Sequence, residues 1–96
     1  MKMLLIRCSS SKLEEVRELI DKHEVEGYSE IPDIRGAGET GKHMGTRAWP
    51  GTSCMIFAAV RSEKAEELIG AMESLCRSCA RDEGVRMMVL PIERMI

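Results

Sequence analysis

The clearest strand signal in the chain is Thr52-Ser53-Cys54-Met55-Ile56-Phe57-Ala58-Ala59-Val60, which is apolar at every position from Cys54 onward. Successive side chains of a β-strand point to opposite faces of a sheet, so this run is apolar on both faces. Such a strand needs cover on both faces, which is typical of the centre of a sheet. The apolar run from Lys2 to Cys8 predicts a second buried strand.

Two amphipathic helices follow these central strands. Apolar residues at helical spacing predict one helix from about Ser11 to about His23 and another that opens at Ser62 and Glu63. Ser11 followed by Glu14 predicts a capping box at the start of the first helix. His23 at its end suits the negative end of the helix dipole. The apolar stripe of the second helix is Ala65, Leu68, Ile69, Met72, Leu75, Cys76 and Cys79.

Two weaker strands complete the pattern. Tyr28 to Ile34 contains Pro32, which cannot donate a ladder hydrogen bond, so we expect an edge strand. Val85 to Ile92 predicts the last strand. The order is β-α-β-β-α-β, an α+β ferredoxin-like domain that takes up residues 1–96, with an antiparallel four-stranded sheet and two helices on one face. Right-handed crossovers place the first and third of these four strands in the centre.

The predicted sheet has one face without helices. Two helices cover only one face of a four-stranded sheet, and the other face would expose Met, Leu, Ile and Val side chains. Sister copies of the same chain would bury that face in a symmetric oligomer. A domain of 96 residues also has a modest core, which favours oligomerisation.

Composition excludes several classes of partner. The net charge of -2 gives no electrostatic basis for binding nucleic acid or an anionic membrane, and aromatic residues make up only 3%, too few for stacking on bases. No apolar run is long enough to cross a bilayer, so we expect no membrane insertion. A cytoplasmic protein is the expectation, with its 4 Cys as thiols or metal ligands rather than disulfides.

Three patches resemble a known family. Val89-Leu90-Pro91-Ile92-Glu93-Arg94-Met95-Ile96 resembles the Val-Leu-Pro-Val-Glu-Arg-Val-Ile run that ends P-II signalling proteins, and Ile34-Arg35-Gly36-Ala37-Gly38 resembles their Val-Lys-Gly-Phe-Gly turn. The run from Gly45 to Thr52 resembles that of short, divergent P-II-like proteins. The glycine-rich segment at about 36–51 lies where the family has its partner-contacting T-loop, and long loops of this kind are usually functional.

The resemblance implies a non-catalytic regulator. P-II proteins are trimers that bind effectors in clefts between subunits, typically ATP or ADP with 2-oxoglutarate, and divergent members bind other adenine nucleotides, bicarbonate or metals. They regulate an enzyme, a transporter or a transcription factor through the T-loop. The family's Thr-Gly-x-x-Gly-Asp-Gly-Lys turn departs here to Cys79-Ala80-Arg81-Asp82-Glu83-Gly84-Val85-Arg86, which keeps one glycine and a basic residue at the Lys position.

Candidate effector ligands lie in segment 36–51 and at the start of the last predicted strand. Gly36, Ala37 and Gly38 would let backbone N–H groups approach an anion, or they form a plain turn. Lys42, Arg47 and Arg86 would supply cations to a phosphate or carboxylate, or they are solvated charges. Trp49, the single Trp of the chain, would contact a partner protein, or it pins the base of the loop to the domain.

The alternative is a trimeric metal-ion-binding protein that resembles the divalent-cation tolerance family. His43, beside Met44, is its candidate divalent-metal ligand, although an exposed loop histidine is the simpler interpretation. Cys76 and Cys79 form a CxxC near a helix end, where packing thiols are the simpler interpretation. An enzyme on this scaffold is the third interpretation, and no pair of nucleophile and base in the sequence supports it.

Overall fold

The computed structural model describes residues 1–35, 37–38, 41–42, 53–77 and 84–96. A short 3-10 turn, Ser10–Lys12, precedes the first helix. The helices are α1 (Leu13–Lys22) and α2 (Ser62–Arg77), and the strands are β1 (Lys2–Ser9), β2 (Ser29–Ile34), β3 (Ala37–Gly38), β4 (Gly41–Lys42), β5 (Ser53–Val60) and β6 (Val85–Pro91).

Four strands form the main sheet in the order β2-β5-β1-β6, with every neighbouring pair antiparallel. This confirms the ferredoxin-like fold, with the two most apolar strands in the centre and the Pro32-bearing strand at an edge. The ladder between β1 and β6 extends beyond the strand ends, because the Ser9 N–H donates to the Gly84 carbonyl and the Ile92 N–H donates to the Met1 carbonyl. The long segment predicted as loop also contains β3 and β4.

The two faces of the sheet differ in burial. On β1, Leu4, Ile6 and Cys8 are buried under the helices, while the residues between them are only half-buried. β5 alternates in the same way, and its buried set lies opposite that of β1. The helix-covered face packs into two apolar clusters that share partly buried neighbours, and the largest fully buried side chains are Leu4, Ile6, Cys8, Val16, Ile56, Leu68 and Met72.

The opposite face of the sheet carries no helix, and we call it the open face. Strand alternation assigns to it Met3, Leu5, Arg7, Ile31, Met55, Phe57, Ala59, Arg86, Met88 and Leu90. Ile31, Met88 and Leu90 are each more than two-fifths exposed in the single chain. The open face is therefore a largely apolar surface, interrupted by two arginines. Neither helix in the described ranges has the length and apolarity needed to cross a bilayer.

The predicted capping box at Ser11 is wrong. The 3-10 turn Ser10–Lys12 separates the serines from α1, and Lys12, which makes no side-chain cap, is the residue before the helix. The Leu13 N–H donates to the Ser10 carbonyl, and the Ser9 and Ser11 hydroxyls lie 3.1 Å apart. Glu14 and Glu15 in the first turn still interact favourably with the positive end of the helix dipole.

Edge strand β2 is irregular at Pro32. Its register against β5 shifts between Ile31 and Ile34, and Asp33 has a positive φ of 55°. Proline removes one ladder N–H, so the strand bulges where that hydrogen bond is absent.

Candidate functional site

Several predicted site residues lie outside the described residues. These are Gly36, His43, Arg47 and Trp49, and with them Cys79 of the CxxC. Their roles stay predictions. Of the predicted site, the structure describes the backbone of residues 37–38 and 42 and the whole of Arg86.

The backbone of residues 37–38 and 41–42 forms a small ladder. Ala37 is the partner of Lys42, and Gly38 is the partner of Gly41. Antiparallel partners have Cα atoms about 4.5–5.5 Å apart. Two parts of the predicted anion site that are separated in sequence are therefore neighbours in space.

Arg86 is the second residue of β6 and lies on the open face. Its neighbours Val85 and Met87 pack against the core on the helix side, so the exposed Arg86 side chain leaves from the other side. The Cα partner of Arg86 in the ladder is Arg7 of β1. Sequence reasoning missed Arg7, although a charged residue inside a predicted central strand was a signal that it faces something other than the core.

The ion pairs of the described residues all lie on the helix side of the molecule. They join Lys12 to Glu15, Arg17 to Glu14 and Glu30, and the His23–Lys64 pair to Glu67. Neither Arg7 nor Arg86 takes part in an ion pair within that part of the chain. Among the described residues, positive charge is thus concentrated without a carboxylate partner at the end of the open face where β6 begins.

A groove of about 360 Å³ runs between the C-terminal half of α2 and β6. Its lining combines an apolar floor with charged residues at the rim: Ile69, Met72, Glu73, Cys76, Arg77, Val85, Arg86 and Met87. The Cys76 thiol donates to the Val85 carbonyl at 3.1 Å, which fits the packing interpretation of this cysteine. Arg86 therefore stands where the groove meets the open face.

His23 ties the two helices together. It caps the end of α1, and its Nδ1 lies 2.6 Å from the Glu67 carboxylate, while Lys64 Nζ donates to the His23 carbonyl at 2.7 Å. The hydrogen bond from His23, followed by that from Lys64, lowers the pKa of Glu67. His23 thus lies at the helix end, as predicted, and it also contacts Glu67 of α2, which the sequence did not indicate.

The metal hypothesis gains no support from the described ranges. They contain no group of three or more His, Cys, Asp or Glu side chains placed to hold a metal ion. Cys8 and Cys54 are direct partners across β1 and β5, but both are buried. Burial, followed by the neighbouring Cys54, raises the pKa of Cys8 to about 11, as expected of a packed thiol rather than a reactive one.

Comparison with known proteins gives a family and a fold. The model of the family described as nitrogen regulatory protein P-II matches residues 1–96. No protein of curated function matches at a significant level.

Among solved structures, two forms of CPII, a PII-like nitrogen regulatory protein from Thiomonas intermedia K12, superpose on this chain. The form bound to ADP, AMP and bicarbonate has a TM-score of 0.76 at 22% identity and covers 93% of this chain and 88% of its own. The form bound to ADP and bicarbonate has a TM-score of 0.73 at 24% identity, covering 97% and 88%. A candidate PII-like signalling protein from Thermus thermophilus has a TM-score of 0.67 at 19% identity, covering 92% and 81%.

Proposed function

The chain belongs to the nitrogen regulatory protein P-II family, and from that membership we propose that it is a cytoplasmic, non-catalytic regulator that binds a small anionic effector. The effector is an adenine nucleotide or bicarbonate, bound in the clefts between the subunits of a homotrimer. The observation that carries the proposal is the match of the family model to residues 1–96, because P-II proteins are generally non-catalytic regulators.

The choice of effector follows from the relatives and from charge. CPII, which shares the fold, binds ADP, AMP and bicarbonate. All three are anions, and the exposed Arg86 has no carboxylate partner among the described residues. The effector ligands we assign are Arg86 with Gly36, Ala37, Gly38, Lys42 and Arg47. Of these, the described part of the small ladder supports the neighbourhood of residues 37–38 and 42.

The open face supports an assembly of several copies, and the number three comes from the family. An apolar surface of this kind is stable when another copy covers it, and a cleft that binds an effector between subunits requires such a partner. Segment 36–51 then carries the signal, since it begins at the effector ligands and contains Trp49. We propose that effector binding changes the contact of Trp49 with a regulated protein or transporter.

Calorimetric titration tests the effector. The full chain is titrated with ADP, AMP, ATP and bicarbonate, and we expect saturable binding of at least one of them. Arg86→Gln should weaken that binding about 10-fold or more, since a hydrogen bond to a charged group contributes about 1.5–3 kcal/mol. Arg61→Gln, which removes an exposed charge at the far end of β5, is the matched control. Silence across the panel would overturn the proposal.

Tryptophan fluorescence tests the signalling segment. Trp49 is the only Trp in the chain, so its emission reports on segment 36–51 alone. We expect a saturable change in emission at the effector concentration where heat is released in the titration. An emission that stays constant while the effector binds would contradict a role for Trp49 in the signal.

A further inference from the structure

Arg7 and Arg86 form a like-charged pair across two hydrogen-bonded strands. They are Cα partners in the antiparallel ladder of β1 and β6, and strand alternation places both on the open face. Side chains directly opposite each other have Cβ atoms about 4.5–5.5 Å apart, and like charges in that position destabilise a sheet. Within the described ranges, no carboxylate pairs with either arginine to offset this repulsion.

The surroundings of the pair suit an anion. On the same face, the Leu5–Met88 pair of the β1–β6 ladder lies next to the two arginines, towards the middle of the sheet. On the other side of Arg7 along β1 comes Ser9, which pairs with Ser53 of β5. On the β5 side of β1, Met55 is the Cα partner of Arg7. Two guanidinium groups in a fixed register therefore lie next to an apolar patch of the open face. Guanidinium forks match the oxygens of a phosphate or carboxylate, and an apolar patch strengthens such contacts.

We propose that Arg7 and Arg86 together form a two-arginine site for one oxyanion, the phosphoryl or carboxyl group of the effector. The inference rests on the proposed binding of an anionic effector at Arg86 and adds Arg7, which comes from the middle of the sheet and not from the glycine-rich segments. The bound anion neutralises the repulsion between the two strands, so binding and the stability of the sheet rise together.

Titrations at constant ionic strength test the site on the full chain, with pyrophosphate, bicarbonate and ADP as probes. We expect Arg7→Gln and Arg86→Gln each to weaken binding about 10- to 100-fold, and Arg61→Gln to leave it unchanged. Pyrophosphate and bicarbonate distinguish a phosphoryl from a carboxyl preference. ADP binding that falls only in Arg86→Gln overturns this inference and leaves the proposed function standing. If pyrophosphate is the one probe that binds, and both variants weaken its binding, the two-arginine site is supported and the proposed effectors, an adenine nucleotide or bicarbonate, are excluded. Silence of the wild type to every probe overturns both.

Thermal melting gives a second readout. Without a polyvalent anion, Arg7→Gln should melt above the wild type, because one of the repelling charges is gone, and pyrophosphate should raise the melting temperature of the wild type only. If Arg7→Gln fails to fold, Arg7→Lys replaces it, since lysine keeps the charge and the aliphatic stem but has no fork. Binding weakened several-fold in Arg7→Lys supports the site, and unchanged binding overturns it.

Discussion

At the scale of single residues, Cys8 has the most unusual environment of the described thiols. Its side chain has no exposed surface, and its partner across the ladder is Cys54. Burial raises the pKa of Cys8 from 9.0 to about 11, so the native protein holds the proton more tightly than the unfolded chain does. Below pH 9 both states keep the proton and the stability is intact. As the pH rises from 9 to 11, the unfolded state gains from ionisation and stability is lost.

Cys8→Ala should therefore flatten the alkaline loss of stability. Over the window from pH 9 to 11 we expect the free energy of unfolding of the wild type to fall more than that of Cys8→Ala, by at most about 2–3 kcal/mol. Urea unfolding at pH 8 and pH 10.5 measures both slopes. Ser74→Ala, on the exposed side of α2, removes no titratable group and should keep the wild-type slope. Equal slopes in the wild type and Cys8→Ala would contradict the assignment.

Sequence reasoning could not predict which residues are partners across neighbouring strands. The spacing of apolar residues places Arg7 and Cys8 in a strand, but the residue opposite each one depends on the register of two strands that are far apart in the chain. The pairs Arg7–Arg86 and Cys8–Cys54 therefore appear only in the structure. Arg86 itself was found from the sequence because a family motif marks its position.

At the scale of elements, α1 is held by charged groups at its middle and at its C-terminal end. Near its middle, Arg17 forms a two-pronged pair with Glu30 of β2, with Nε to Oε1 at 2.6 Å and a terminal nitrogen to Oε2 at 2.7 Å, and it also pairs with Glu14. At its end, His23 and Lys64 hold it to α2. The bond from Arg17 joins a helix to the edge strand, which otherwise contacts only β5 in the main sheet.

Glu30→Gln should loosen that edge strand in a pH-dependent way. The hydrogen bond from Arg17 lowers the pKa of Glu30 below its ordinary 4.5, so the stabilisation is present above that pH and is lost as the pH falls through the folded-state pKa. We expect Glu30→Gln to melt a few degrees below the wild type at pH 7, and the difference to shrink towards pH 3.

Glu18→Gln is the matched control for this change. Glu18 is an exposed glutamate of α1, the helix that carries Arg17, and it has no partner within the described part of the chain. Its variant should melt like the wild type at both pH values. A difference between Glu30→Gln and the wild type that stays constant from pH 7 to pH 3 would show that the carboxylate charge plays no part.

Element types followed from periodicity, and element ends did not. The apolar runs and stripes fix which segments are strands and helices, because burial of one face dominates the energy of each. The start of α1 was misplaced because the 3-10 turn uses the same serines that a capping box would use. Strands β3 and β4 carry no hydrophobic period, so the sequence had no signal for them.

At the scale of the whole molecule, the open face sets the expected assembly. The described chain buries one side of its sheet under two helices and leaves the other side apolar. The free energy of assembly then comes from covering Met88, Leu90 and their neighbours. The number of copies rests on family membership, since the apolar face by itself is compatible with several symmetries.

Leu90→Asp should therefore dissociate the assembly without unfolding the subunit. The new carboxylate would be buried at the interface in the Met3–Leu90 row, two rows away from the two arginines, which costs several kcal/mol, whereas in a lone subunit position 90 is exposed. Light scattering coupled to size exclusion should give a trimer for the wild type and monomers for the variant. Ser74→Asp places the same charge on the exposed side of α2 and should remain trimeric. A trimeric Leu90→Asp would mean that the open face is not the interface.

The irregular strand at the other edge has a consequence for aggregation. A stack of sheets lengthens into a fibre only when each copy offers two edges that can accept a new strand. On β2, Pro32 has no N–H to give, and the register slips beside Asp33. A copy that pairs through its β6 edge therefore leaves only its irregular β2 edge free. Because that edge is poorly suited to pairing with a further strand, we expect such a stack not to lengthen into a fibre.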